Sequence, residues 1–392
     1  MFWYLVVFAI LVALALVEKH RNWPGLFAAT MLALMCGLRY ETGFDWAEYE
    51  AHYLFTPGFG ETNIYANIRT FSVEPAFDIL NRVLNTFHAD FQWLLFVVGS
   101  FNIVVLYLFA RKFSPQVVVV LIWYYGFEFL TGQMATIRQS LSVSFIYLAV
   151  MSNNDRKTWL AIPYCVLAAL FHSFSIIFIP LVFVTPKPLG EKQLTILALV
   201  GISASLMGND LFIEISQFII RTADPGIVTD KLQIYSQQIG STISPVSLAL
   251  ILWHIFFVWI VRRKSVDGDL DYVARVSIWS TWMSVIFHSF FVDFPILWNR
   301  CMLVTFTLQA IQMCRTFHVE LDRRWFRIQF TLVASLGSLL ALIYALAGEQ
   351  ALVYKPYQNV AVTWIRGPYG NGRLRYQIVR NENNVIAAQQ KR

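Results

Sequence analysis

MFWYLVVFAILVALALV (residues 1–17), EKHRN (18–22), WPGLFAATMLALMCGL (23–38) and then Arg39 read as apolar run, basic gap, apolar run, cation. A bilayer core takes about 20 apolar residues per helix, with a range of roughly 17–25, so each run reads as one crossing. No basic n-region precedes the first run and no Ala-x-Ala site follows it. It reads as a membrane helix and not as a cleaved signal.

The alternation continues down the chain. The expected spans are 1–17, 24–38, 91–110, 116–131, 134–151, 158–171, 173–186, 193–208, 245–261, 273–291, 296–314 and 327–347. The segment 158–186 reads equally as one broken helix, but a merged span reverses everything after it. The gaps at 18–22, 111–112, 153–157, 187–192, 262–264 and 315–327 each carry two to four Lys or Arg, and the short gaps between them carry almost none. Lys and Arg concentrate in cytoplasmic loops, so these six gaps face the cytoplasm. The segments 39–90 and 209–244 and the tail 348–392 then lie outside. The chain is thus expected to be all-α, a transmembrane domain over 1–347 with about 12 helices, and an outer tail. The tail is Asn-, Gln- and Arg-rich, and roughly its last 15 residues read as disordered.

Composition agrees. Of 392 residues, 57% are hydrophobic and 14% charged, against about 25% charged in soluble domains. The net charge of +6 sits in short gaps between apolar runs, which is a topology signal and not a nucleic-acid groove. Cys36, Cys165, Cys301 and Cys314 lie in or beside apolar runs without metal-site spacing. They read as buried small hydrophobes, and no metal centre or disulfide framework is expected.

Within the outer segment, EPAFDILNRVLNTF (74–87) places Phe77, Leu80, Val83, Leu84 and Phe87 at helical spacing. It reads as an amphipathic interfacial helix, capped near Ser72 with Pro75 at its start. The short echo FHSFS (171–175) and FHSFF (287–291) is within chance for a Phe-rich chain.

Charge inside a span costs at least about 2.5–3.5 kcal/mol, so it is usually paired and functional. Arg39, Arg138 and Arg300 all fall at outer ends of spans. Each alone reads as an interfacial anchor; three at one depth read as anion ligands, since guanidinium forks suit phosphate oxygens. Glu41, Asp45, Glu48 and Glu50 follow Arg39, and Glu74 and Asp78 share a helix face. His172 sits in an outward turn and reads as a hydrogen-bonded structural histidine or as a general base. His288, Asp293 and Arg300 form a second polar cluster in FHSFFVDFPILWNR. There is no P-loop, zinc-ligand pair or Gly-x-Ser-x-Gly elbow.

The ordered set resembles the EpsG/Wzy family of polysaccharide polymerases. Its motifs are Arg39, Gly43, Asp45 and Tyr49, then Glu74-Pro75-x-Phe77, Ile137-Arg138-Gln139-x-Leu141, Phe171-His172-Ser173, and Arg300 entering a late span. The likeness runs from about residue 35 to 315. Family members often have Thr where this chain has Phe44, and a small residue where it has Phe174. The resemblance implies a GT-C-like glycosyltransferase of the bacterial inner membrane with outer-face amphipathic and re-entrant segments. It would polymerise undecaprenyl-pyrophosphate-linked glycan repeat units at the periplasmic face, with the lipid bilayer and a chain-length regulator protein as partners and no cofactor or metal. Arg39, Arg138 and Arg300, with Tyr49 and Gln139, would hold pyrophosphate; the base would be His172, then Asp45, then Glu74. An O-antigen ligase-like transferase and a lipid-linked oligosaccharide flippase or transporter are the alternatives. A transporter calls for polar residues at the bilayer midplane, and the charges read from sequence cluster outward.

Overall fold

The apolar runs become helices, and the gaps supply their caps. The computed structural model describes residues 1–18, 22–61, 73–184, 188, 190–206, 244–265, 270–292, 295–367 and 371–389. Among these, the regular structure is helical, with one isolated β-bridge between Arg39 and Asn359. The helices used below are α1 (Phe2–Val17), α2 (Trp23–Gly37), α3 (Trp46–Phe55), α4 (Pro75–Thr86), α5 (Phe91–Phe113), α6 (Val117–Phe127), α7 (Ile137–Asn154), α8 (Thr158–Phe171), α9 (Ile179–Val182), α10 (Glu191–Leu206), α11 (Pro245–Lys264), α12 (Tyr272–Phe290), α13 (Pro295–Thr316), α14 (His318–Leu321), α15 (Arg324–Ala347), α16 (Val360–Arg366) and α17 (Gly372–Gln389).

Two compact units form: Met1–Phe183 with Phe317–Asn384, and Val184–Thr316 with Val385–Arg392. In the first, α2 packs on α5, α7 on α8, and α15 on α6 and α1. In the second, α10, α11, α12 and α13 pack around Leu194, Ile251, Phe257, Ile278 and Val285. Asp90, Ser244 and Asp271 cap α5, α11 and α12 by accepting from backbone N–H groups in the first turn. Such caps contribute about 1 kcal/mol each.

Helices α5, α11 and α15 are long and apolar enough to cross a membrane. A fourth crossing is counted if α6 and the π-helix Phe129–Ala135 are one span; they bend by 78° at Glu128. Helices α1, α2 and α8 are apolar but only 14 to 16 residues long, about 21–24 Å at 1.5 Å per residue. The sequence expectation of an uninterrupted run over 116–131 differs here, because Glu128 and Gly132 give the chain a place to break. The chain is an all-helical membrane protein.

Two further results bear on the expected topology. Thr158 Oγ1 donates to Asn153 Oδ1 (2.9 Å), and Asn153 Nδ2 donates to the Val182 carbonyl (2.8 Å). Residues 158 and 182 therefore start and finish at the same place, so α8 and the following 3-10 turn Ser173–Phe178 with α9 form a hairpin, not one broken span. His172 is its apex. Glu18, Lys112 and Asp155 lie near one end of the first unit. Lys112 pairs with Asp155, and the Glu18 carboxylate accepts from the Val117 and Val118 N–H groups (3.1 and 2.9 Å).

Residues 372–389 form α17, whose first turns find charged and aromatic partners on residues 41–50. The segment 209–243, Ser72 and Asp293 lie outside the described residues.

Candidate active site

The α4 helix starts where proline chemistry requires. Glu74 precedes Pro75, which holds it extended (φ −71°, ψ 149°) and occupies the first helical position without losing a hydrogen bond. The Glu74 side chain is thereby directed back across α7 and α8. Its Oε2 accepts from Arg138 Nη1 at 2.5 Å, and its Oε1 lies 3.0 Å from His172 Nδ1. The Ser173 N–H and Oγ also donate to Oε1, at 3.4 and 3.3 Å. One buried carboxylate thus joins a guanidinium, an imidazole and a helix start.

His172 can reach Glu74 because α8 ends at Phe171 and the backbone turns extended (φ −157°, ψ 114°). Its carbonyl accepts from the Ser175 N–H (3.0 Å) and hydroxyl (2.8 Å), which fixes the turn. Arg138 lies one residue inside α7 and stands 5.6 Å from the Tyr49 ring centroid. Tyr49 in turn meets Phe77 edge-on at 5.6 Å. Burial pushes the Tyr49 phenol up to about 12, with Arg138 pulling it down and Asp45 pushing it up. Tyr49 is therefore a neutral phenol whose oxygen accepts from the cation. The floor is apolar: Phe77, Leu94, Leu95, Val98, Ile137 and Leu141.

Two neighbours extend this group. His52, stacked on Phe77, has its Nε2 3.6 Å from Asp78 Oδ1, and Asp78 accepts from Arg82 Nε at 2.7 Å. Burial lowers the His52 pKa, against the pull of Asp78. Asp45 lies at the start of α3, its carbonyl accepting from the Tyr49 N–H at 3.1 Å.

Arg39 takes a different position. It is 1% exposed, and its Nη1 donates to the Gln133 carbonyl (3.1 Å) and the Cys36 carbonyl (3.4 Å). Its Nε and Nη2 meet no acceptor among the described residues. The chain leaves Arg39 through Gly43, which has φ +124° and donates to the Val353 carbonyl (3.1 Å). A Cβ there would lie 2.2 Å from the Met134 carbonyl oxygen, so only glycine fits.

Of the sequence candidates, Glu74, Arg138, His172 and Tyr49 are brought together, and Asp45 lies within electrostatic reach of Tyr49. Gln139 is buried on α7 next to Arg138. Arg39 is in the first unit but is tied to Gln133 and Cys36, not to Glu74. Arg300, half-buried on α13, and His288, fully buried and stacked on Trp298 at 4.0 Å, belong to the second unit. Arg138, expected as an anion ligand, is paired with the Glu74 carboxylate. Sequence reading missed Ser173 as a Glu74 ligand, although it stands next to His172, and missed His52. Among the described residues, no group of three or more His, Cys, Asp or Glu side chains is placed to hold a metal ion.

Comparison with known families matches residues 22–359 to the EpsG family, most of the chain and every candidate described above. The chain belongs to the EpsG family. As an EpsG-family member it is a membrane protein of the polysaccharide-polymerase type. The EpsG match ends at Asn359, the residue bridged to Arg39. Comparison with curated proteins and with solved structures finds no match.

Proposed function

We propose that this EpsG-family protein is an inner-membrane glycosyltransferase that polymerises undecaprenyl-pyrophosphate-linked repeat units at the periplasmic face. In this reading the described helices belong to a GT-C-like array of about 12 crossings, oriented by the six basic gaps. The observation that carries the proposal is the Glu74 carboxylate held between His172 Nδ1 and Arg138.

That arrangement suits a general base. A carboxylate accepting from Nδ1–H fixes the tautomer in which Nε2 carries the lone pair, and stabilises the imidazolium once it forms. His172 Nε2 takes the proton of the acceptor sugar's hydroxyl. The freed oxygen pair attacks the donor's anomeric carbon, and the bond to the lipid pyrophosphate breaks, leaving its electron pair on the phosphate oxygen. Arg138 then acts on Glu74, keeping it ionised, more than on the leaving group. Arg39, whose Nε and Nη2 meet no acceptor among the described residues, is assigned to the pyrophosphate. The partners in this reading are the lipid-linked donor and acceptor, the bilayer and a chain-length regulator.

The test is elongation of lipid-linked repeat units by purified protein in detergent. Wild type extends them; His172→Ala does not. Wild-type turnover in His172→Ala removes the base from this position.

One observation favours the transporter reading. Glu128 is 2% exposed at the break after α6, about 16 Å along the helix from Val117, and broken helices with buried polar groups at mid-depth mark transport sites. Movement of lipid-linked glycan across vesicles that needs Glu128 but not His172 would support that alternative.

A further inference from the structure

The C-terminal segment returns to the candidate site from the far side. Asn359 bridges Arg39, with the Tyr40 N–H donating to the Gln358 carbonyl (2.9 Å) and the Val360 N–H to the Leu38 carbonyl (2.8 Å). Tyr357 donates to the Met35 carbonyl at 2.7 Å and Tyr354 to the Leu130 carbonyl at 3.1 Å. Beyond this, α17 lies against α3 and the loop before it. Arg373 pairs with Glu50 (2.7 Å) and Glu41 (3.5 Å), and Arg380 pairs with Glu48 (3.1 Å). The Tyr376 hydroxyl donates to Glu48 (3.1 Å), and its ring meets Trp46 edge-on at 6.3 Å. Arg373 also stands 5.5 Å from the Trp46 ring centroid.

These contacts divide α3 into two working faces. Glu48 and Glu50 face α17, while Tyr49, His52 and Tyr53 face the Glu74–Arg138 group. A helix of 10 residues fixes its register poorly by itself, since isolated helices shorter than about 12–15 residues are marginal. Its position must come from what clasps it.

We propose that α17 is a positioning clamp: Arg373, Tyr376 and Arg380 hold α3 through Glu41, Glu48 and Glu50, and thereby hold Tyr49 over Arg138. The proposal rests on the reading of the Glu74–His172 group as the reacting centre. Arg373 and Arg380 are 59% and 58% exposed, so the clasp is screened by salt, with a Debye length of about 10 Å at 0.1 M. The fit at its start is close. The Gly372 N–H donates to Glu41 Oε2 (3.0 Å), and a Cβ at Gly372 would lie 2.3 Å from the Glu41 Cβ.

Charge reversal tests it. Arg373→Glu with Arg380→Glu is expected to lower elongation by about tenfold, the rate change that about 1.4 kcal/mol corresponds to. Adding Glu50→Arg and Glu48→Arg restores most of it, which a merely misfolded variant does not allow. Gly372→Val, which unseats the start of α17 without touching a charge, falls likewise. A second measurement separates clamp from lid. Glu48→Cys with Arg380→Cys is joined by a short bismaleimide, the four native cysteines being buried. A clamp crosslinks and stays active. Failure to crosslink, or a crosslinked protein that loses elongation while the unlinked one keeps it, overturns the proposal. Absence of elongation in wild type instead overturns the functional reading and the role built on it; crosslinking yield and its salt dependence still report docking.

Discussion

Glu74 is where single-residue chemistry is most exposed to test, because one carboxylate neutralises Arg138 and orients His172. Removing one partner of a buried pair costs about 3–5 kcal/mol, because the other charge is stranded. Arg138→Ala is therefore expected to unfold at lower temperature than wild type. Arg138→Met with Glu74→Gln recovers that stability but not elongation, since His172 loses its orienting acceptor; a thermal scan and an elongation assay on both variants check this. A second residue-scale prediction concerns Glu18, at the opposite end of the first unit. Burial raises its carboxyl from 4.5 to about 7, with the Val118 and Val117 N–H groups pulling it down. A raised folded-state pKa means the folded form binds the proton more tightly. Its stabilising effect is full below 4.5 and lost as pH rises through about 7. The loss is on the order of 3 kcal/mol at 1.36 per unit. Melting temperatures of wild type minus those of Glu18→Gln, from pH 5 to 8, should fall along this curve; a flat difference refutes it. Glu74, Arg138 and His172 were legible in sequence because charge in an apolar chain is rare. Their pairing was not legible, since 98 residues separate Glu74 from His172 and no local spacing encodes that contact.

At the scale of elements, motif spacing and motif purpose came apart. The run from Arg39 through Gly43 and Asp45 to Tyr49 reads in sequence as a string of candidate ligands, yet Gly43 is there for backbone reasons. Its positive φ and the Met134 carbonyl 2.2 Å from a would-be Cβ press residues 39–45 onto the π-helix. Gly43→Ala is expected to cost at least about 1–3 kcal/mol. That loss should appear as a lower melting temperature with intact membrane insertion. An unchanged melting temperature would mean the loop relaxes freely. Periodicity located α4, which runs Pro75–Thr86. Asn81 is fully buried, while Ile79, Val83 and Phe87 are exposed, a stripe suited to the membrane interface. The break at Glu128 was hidden because hydropathy averages over about 19 residues and a single carboxylate barely lowers the window. In the second unit, His254, Gln309 and Thr281 are buried and hydrogen-bonded in sequence (2.8 and 3.0 Å). Such contacts between membrane helices contribute about 0.6–2 kcal/mol each, and they explain why α12 and α13 carry so many hydroxyls.

For the molecule as a whole, sidedness is the quantity on which the function turns. Glu18, Lys112 and Asp155 lie together at one end of the first unit, through Glu18 with α6 and Lys112 with Asp155. Arg138, Glu74 and His172 lie at the other end, the length of α7 away. Eighteen residues of helix span about 27 Å, nearly the hydrocarbon thickness of about 30 Å. In the proposed reading the two ends face opposite sides, with the basic gaps placed in the cytoplasm by the positive-inside bias. The sequence carries this expectation because insertion reads charge one loop at a time and needs no tertiary contact. Phe59 and Lys157, exposed at opposite ends, make the test. In intact cells, a membrane-impermeant maleimide should label Phe59→Cys and leave Lys157→Cys unlabelled until the membrane is opened, with the buried native cysteines silent. The reverse pattern would put Glu74 and His172 in the cytoplasm. A periplasmic pool of lipid-linked repeat units would then be out of their reach.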